Sequence, residues 1–136
     1  MSRILALSAL LAPAIAFGAA ATSAHASDGC DFQTLNHNGS TMAYENCEGA
    51  VTIEYTRPRS TMRRQGVRSG TVLFRGWARN GRISGTAYRF KAGCGRIGYS
   101  VSGRQRAYGA TLIGTAPVRG SGCGVTRYRR DVLRFN

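Results

Sequence analysis

The stretch Leu73-Phe74-Arg75-Gly76-Trp77-Ala78-Arg79-Asn80-Gly81-Arg82-Ile83-Ser84-Gly85-Thr86-Ala87-Tyr88 decides the fold class. Asn80-Gly81 joins two extended runs, and a type I′ hairpin turn needs positive φ at both central residues, which Asn and Gly tolerate best. A two-residue turn there sets Arg79 opposite Arg82, Ala78 opposite Ile83, Gly76 opposite Gly85 and Phe74 opposite Ala87. Leu73, Arg75 and Trp77 then stand on the other face, opposite Tyr88, Thr86 and Ser84, because successive side chains of a strand alternate faces. One face of the hairpin is therefore small and apolar. The spacing Phe74-x-Gly76-x-Ala78 recurs as Ile83-x-Gly85-x-Ala87 and as Leu112-x-Gly114-x-Ala116. Strand glycines weaken a flat sheet but permit sharp coiling and close backbone approach, so curvature is their expected role rather than a ligand groove.

Outward from this hairpin the same grammar continues, with almost no helical periodicity. Val51-Thr52-Ile53-Glu54-Tyr55 alternates strictly and stops at Arg57-Pro58-Arg59, since proline cannot donate to a ladder. Ser60 to Gln65 reads as one helical turn or a loop. Further strands are expected near Met42 to Tyr44, at Ile97 to Val101, at Leu112 to Ala116 with Pro117 closing it, at Val125 to Arg130 and at Val132 to Phe135. The reading is all-β: a small antiparallel barrel or sandwich of about seven or eight strands.

At the N-terminus, Arg3 precedes an apolar run from Ile4 to Phe17, and small residues end at Ala24-His25-Ala26. This is the pattern of a cleaved secretory signal, and Ser8, Pro13 and Gly18 make the run a poor membrane span. Residues 1–26 are thus expected to leave a single domain, 27–136, without a transmembrane span, in the periplasm or secreted. The remaining 110 residues carry 18 basic and 6 acidic side chains, a net charge of +12. A chain of that size buries a modest core, so cross-links would help it.

Cys30, Cys47, Cys94 and Cys123 all lie in the mature part, and an even count in an exported small domain reads as two disulfides. Three pairings are formally open. Cys30 with Cys47 and Cys94 with Cys123 is preferred, because each pair flanks neighbouring extended runs. No metal or other cofactor is expected: there is no CxxC, His25 leaves with the signal, and His37 alone does not complete a zinc set.

Charge is segregated along the chain. Ser27 to Thr56 holds five acids and no Lys or Arg, whereas Arg57 to Arg130 carries sixteen Arg and Lys91 without one acid. A polyanion is the default partner for such a chain. Three basic segments are candidate binding loops: Arg57, Arg59, Arg63, Arg64 and Arg68; Arg104, Arg106 and Tyr108; and Arg127, Arg129 and Arg130 beside Tyr128. Guanidinium forks match phosphate and carboxylate, and interleaved aromatic rings stack on bases or sugars. The competing reading makes the arginines a solvated surface and the tyrosines partly buried packing groups. Trp77, the only tryptophan, is expected in the core.

The chain resembles a small exported β domain of alphaproteobacteria that also occurs appended to caspase-like peptidases. The similar stretches include Asn36-His37-Asn38-Gly39-Ser40, Tyr55-x-x-Pro58-Arg59, Gly70-Thr71-Val72-Leu73-Phe74 and Gly85-Thr86-Ala87-Tyr88-x-Phe90. They continue through Cys94-Gly95, Tyr99-x-Val101-x-Gly103, Gly114-x-Ala116-Pro117 and Asp131-x-Leu133-x-Phe135, nearly the whole mature chain. The resemblance implies the domain type and its export, and it carries no activity and no residue role.

Three functions follow. The first is a binding module for an anionic envelope component or another polyanion, nucleic acid included. The second is an interaction or inhibitor domain that presents its basic loops to an acidic protein surface. The third is a ribonuclease-like site built from His37, a carboxylate among Glu45, Glu48 and Glu54, and Arg57 or Arg59. The Asn and Gly neighbours of His37 equally suit a tight turn, and no GxSxG, HExxH or P-loop indicates a reaction.

Overall fold

Asn80 (φ 52°) and Gly81 (φ 71°) both adopt the left-handed conformation that a type I′ turn requires. The computed structural model, which describes residues 29–136, places this turn between β4 (Val72–Arg79) and β5 (Arg82–Lys91). The expected register follows from Phe74 opposite Ala87 to Arg79 opposite Arg82. Two further turns have the same geometry. Asn38-Gly39 joins β1 (Cys30–His37) to β2 (Ser40–Cys47), and Glu48-Gly49 joins β2 to β3 (Ala50–Arg57). The remaining elements are α1 (Ser60–Arg64), β6 (Gly95–Gln105), β7 (Ala110–Arg119) and β8 (Val125–Phe135).

The eight strands form one antiparallel sheet in sequence order. Every strand contributes to a single core, for example through Leu35, Met42, Ile53, Phe74, Ile83, Val101, Leu112 and Leu133, so the sheet curls around its own inner face. Val67 from the β3–β4 connection is fully buried in that core, with Met62 of α1 packed against it. The barrel expectation needs correction: no ladder joins β1 to β8, and the sheet is not closed. Asn36 N–H donates to Asn136 O at 2.6 Å and Asn136 N–H to Asn36 O at 3.1 Å, which is where the two edges meet.

The strand glycines explain the curl. A Cβ on Gly76 would lie 2.6 Å from Phe74 Cζ and 2.8 Å from Gly85 Cα. Only glycine permits that approach. In a meander successive connections alternate between the two ends of the sheet. Asn80-Gly81 and the β6–β7 loop share one end, where Gln105 N–H donates to Gly81 O at 3.0 Å. The turn at Asn38-Gly39, α1 and the β5–β6 and β7–β8 connections share the other. Cys30 pairs with Cys47 and Cys94 with Cys123, as expected, and no described cysteine is free. Such pairs persist in oxidising compartments. The signal segment lies outside the described residues, among which no helix is long and apolar enough to cross a membrane.

Several sequence expectations fail for physical reasons. The first strand was not expected, because its alternation is broken: the polar His37 is buried beside Leu35 on the inner face, while Phe32 on the outer face is 68% exposed. Val125 to Arg130 and Val132 to Phe135 are one continuous strand, β8. Pro117 does not close β7, which runs to Arg119 with Pro117 opposite Tyr128. Trp77 is 65% exposed rather than in the core, since its face of the hairpin is the outer one. Tyr108 and Tyr128 are likewise exposed, not packed.

Candidate polyanion-binding surface

Strand register carries arginines from separate parts of the chain onto one line. Arg79 pairs with Arg82, Arg82 with Arg104, Arg104 with Thr111, and Thr111 with Arg134. Their strand neighbours Ile83, Leu112 and Leu133 are buried, so alternation places this row on the outer face, and all four arginines are exposed. Adjacent strands lie about 4.8 Å apart, which makes the row a ladder of guanidinium groups across β4, β5, β6 and β8. Like charges directly opposite one another destabilise a sheet, and no acid interrupts this row. Among the described residues the one ion pair is Arg89 with Asp131, so the ladder is uncompensated. Two positions along each strand runs a second row in which Trp77 faces Ser84, Ser84 faces Ser102, and Ser102 faces the exposed Ile113.

Of the candidate loops, only Arg104 belongs to this ladder. Arg106 and Tyr108 lie in the adjoining β6–β7 loop, where the Tyr108 hydroxyl donates to Thr34 O. Arg57, Arg59, Arg63, Arg64 and Arg68 gather instead around α1, and several serve the loop itself. Arg57 donates to Thr41 Oγ1, Arg63 to Pro58 O at 2.6 Å, and Arg68 to Arg63 O at 2.9 Å. Arg127, Arg129 and Arg130 divide between the two faces of β8, as alternation demands. Lys91 and Arg119 hold backbone carbonyls: Lys91 donates to Gly122 O at 2.7 Å and Arg119 to Gly95 O at 2.9 Å. Arg79, Arg82 and Arg134 lie outside the three basic segments that charge along the chain picks out. The Asn80-Gly81 turn already placed Arg79 beside Arg82, but Arg134 required the β7–β8 register, which a long loop conceals.

His37 is a structural residue. Its Nδ1 lies 2.9 Å from Arg134 O, and because a carbonyl only accepts, Nδ1 carries the proton and Nε2 accepts from Asn38 Nδ2 at 3.2 Å. The ring stacks on Phe135 with centroids 4.8 Å apart. The carboxylates proposed as its catalytic partners lie elsewhere. Glu45 and Glu54 alternate onto the outer face, and Glu48 sits at the far end of β2, about 25 Å away along the strand. Burial lowers the His37 pKa, against the opposing effects of its bond to Arg134 O and the charge of Asp131, with Arg59 lowering it further. A histidine depressed on folding takes up its proton more readily unfolded, so its contribution is intact above about pH 6.5 and is lost as pH falls through the folded value. Thermal unfolding temperature is expected to fall between pH 7 and pH 5 in the native sequence and to lose that step in His37→Gln; an unchanged step in the variant would assign it elsewhere.

The Cys30, Glu45 and Cys47 side chains cluster closely enough to suggest metal ligands, but both sulfurs are in a disulfide and neither is a thiolate. The chain matches no family model, and no curated protein or solved structure is detectably similar to it.

Proposed function

We propose that this protein is an exported, non-catalytic binding module for an anionic polymer of the cell envelope or surroundings, engaged through the outer face of β4 to β8. The observation that supports this most is the ladder of Arg79, Arg82, Arg104 and Arg134, a row of unpaired like charges that a purely structural surface would gain by interrupting. The row spans five neighbouring strands of a curled sheet, so its members fan around a convex surface. A flexible chain can follow such a surface, whereas a flat membrane cannot meet all four groups at once. Nucleic acid, lipopolysaccharide and acidic glycan all present the required charge. An acidic protein is the second reading, favoured by the exposure of Trp77 among Arg75 and Arg79, since Trp and Arg dominate protein interfaces.

Binding should depend steeply on salt. For single-stranded nucleic acid as the probe, replacing all four ladder arginines by Gln is expected to flatten the plot of log K against log salt by about 3, at roughly 0.7 per phosphate contact. Fluorescence anisotropy against ionic strength reads this directly. Failure of single-stranded nucleic acid, lipopolysaccharide and acidic glycan to bind at low salt would remove the proposal. If Trp77→Ala abolished binding of one acidic protein while leaving every polymer unaffected, the second reading would stand instead.

A further inference from the structure

At the end of the sheet that carries α1 the inner face opens into a cup of about 490 Å³. That is the size range of small-molecule sites rather than polymer grooves. Its wall holds Asp131, the sole acid anywhere after Glu54. Asp131 Oδ2 accepts from the Tyr99 hydroxyl at 2.7 Å and from Arg89 Nη1 at 3.4 Å. Burial raises the Tyr99 pKa, reinforced by that bond and by the Asp131 charge, so the phenol stays protonated and keeps donating. Oδ1 of the same carboxylate has no hydrogen bond to a described residue. Arg129, two positions before Asp131 on the same face of β8, and Arg59 also line the cup, with their side chains unpaired among the described residues. Gln65 also lines the cup, with its Oε1 fixed by Ala92 N–H at 3.0 Å. Its amide nitrogen therefore remains a donor. Apolar walls come from Tyr55, Phe90 and Leu133.

We propose that the cup binds a small hydroxylated organic anion of the acidic-sugar class. Arg59 and Arg129 take its charged group, and a ring hydroxyl donates to Asp131 Oδ1. Two features select this chemistry. The excess of unpaired cations disfavours a neutral ligand, and the fixed carboxylate repels an anion that brings no donor to satisfy it. An apolar carboxylate meets the first demand and fails the second. This site shares no residue with the outer ladder and stands independently of it.

The test is titration of the isotopically labelled full domain by NMR, with glucuronate as the probe beside glucose 6-phosphate, glucose and benzoate. Glucuronate, glucose 6-phosphate or both should saturate shifts at the amides of Arg59, Arg129 and Asp131, and neither glucose nor benzoate should match them. Arg129→Gln should weaken binding of the acid by about tenfold or more, as expected for loss of a charge-assisted contact. Arg129 is exposed and has no ion pair among the described residues, so this variant is expected to keep the fold. Asp131→Asn is expected to weaken the acidic sugar and strengthen benzoate, an inversion that general damage to the cup would not produce. The quadruple ladder variant should retain the site, which separates this outcome from that of polymer binding. Equal shifts with glucose, benzoate as tight as glucuronate, or no saturable shift with either acidic sugar would overturn the proposal.

Discussion

Gly85→Ala is expected to destabilise the fold by about 3 kcal/mol, lowering the midpoint of thermal unfolding by about 10 °C or more. A Cβ at this position would fall 2.9 Å from the Arg75 carbonyl carbon and against the oxygen of the same group. These are backbone atoms of the partner strand, which no rotamer change can clear. The opposing Gly76 is equally confined, by Phe74 Cζ on one side and Gly85 Cα on the other. Relief would require β4 and β5 to separate, and that displaces Phe74 and Ile83 from the middle of the core. Gly122→Ala provides the control, since nothing lies within 4 Å of the added atom. A surface change of that kind stays within about 0.5 kcal/mol. If urea denaturation gave Gly85→Ala a loss below about 1 kcal/mol, the close approach of the two strands would not be what fixes the curvature.

The same two glycines show what the sequence made legible. Their pairing followed from one turn dipeptide, because a two-residue type I′ loop allows a single register, and from it came both the alternation of faces and the reason for the glycines. The first strand shows the opposite case. In Cys30-Asp31-Phe32-Gln33-Thr34-Leu35-Asn36-His37 the inward positions hold Leu35 but also the polar His37, and the outward ones hold Phe32, so the two large apolar residues fall on opposite faces and no hydrophobic alternation marks the strand. What makes it a strand is the tight Asn38-Gly39 turn and the bonds of His37 to Arg134, a contact almost a hundred residues away in sequence. Closure was illegible for a related reason: whether the edges of a meander zip together depends on stagger, which no local pattern encodes.

The candidate surface was legible in charge and not in place. The basic run correctly marked where cations concentrate, but density along the chain favoured Arg57 to Arg68, where Arg57, Arg63 and Arg68 bond to the loop's own surroundings. The ladder draws one arginine from each of four strands, and its coherence exists only across hydrogen-bonded neighbours. Asp131 is the converse. Nothing in the sequence singles out this lone acid at the end of a basic stretch, and the fold places it against Tyr99 and Arg89 in the cup at the end of the sheet that carries α1.

Removing the Cys94–Cys123 bridge as a double Ala variant should cost about 3.5 kcal/mol, more than removing Cys30–Cys47, for which loop entropy gives about 3 kcal/mol. The sequence separations are 29 and 17 residues. The real difference should exceed that gap. Cys30 and Cys47 are directly paired residues of a hairpin already closed by Asn38-Gly39, so the chain near them is restricted even when unfolded structure is sparse. Cys94 and Cys123 belong instead to two separate connections, β5–β6 and β7–β8, that share no ladder. Between these connections the other ties are side-chain bonds, Lys91 to Gly120 O and Gly122 O and Arg119 to Cys94 O and Gly95 O. Those bonds hold the loops in the folded state and do nothing to limit the unfolded ensemble, where the disulfide acts. Because Lys91 and Arg119, the strand ends from which the two connections leave, line the cup, loss of this bridge is also expected to weaken acidic-sugar binding, while the ladder on the outer face keeps its affinity for polymer. Equal stability losses for the two double variants, by urea denaturation under non-reducing conditions, would show that chain restriction does not set the order.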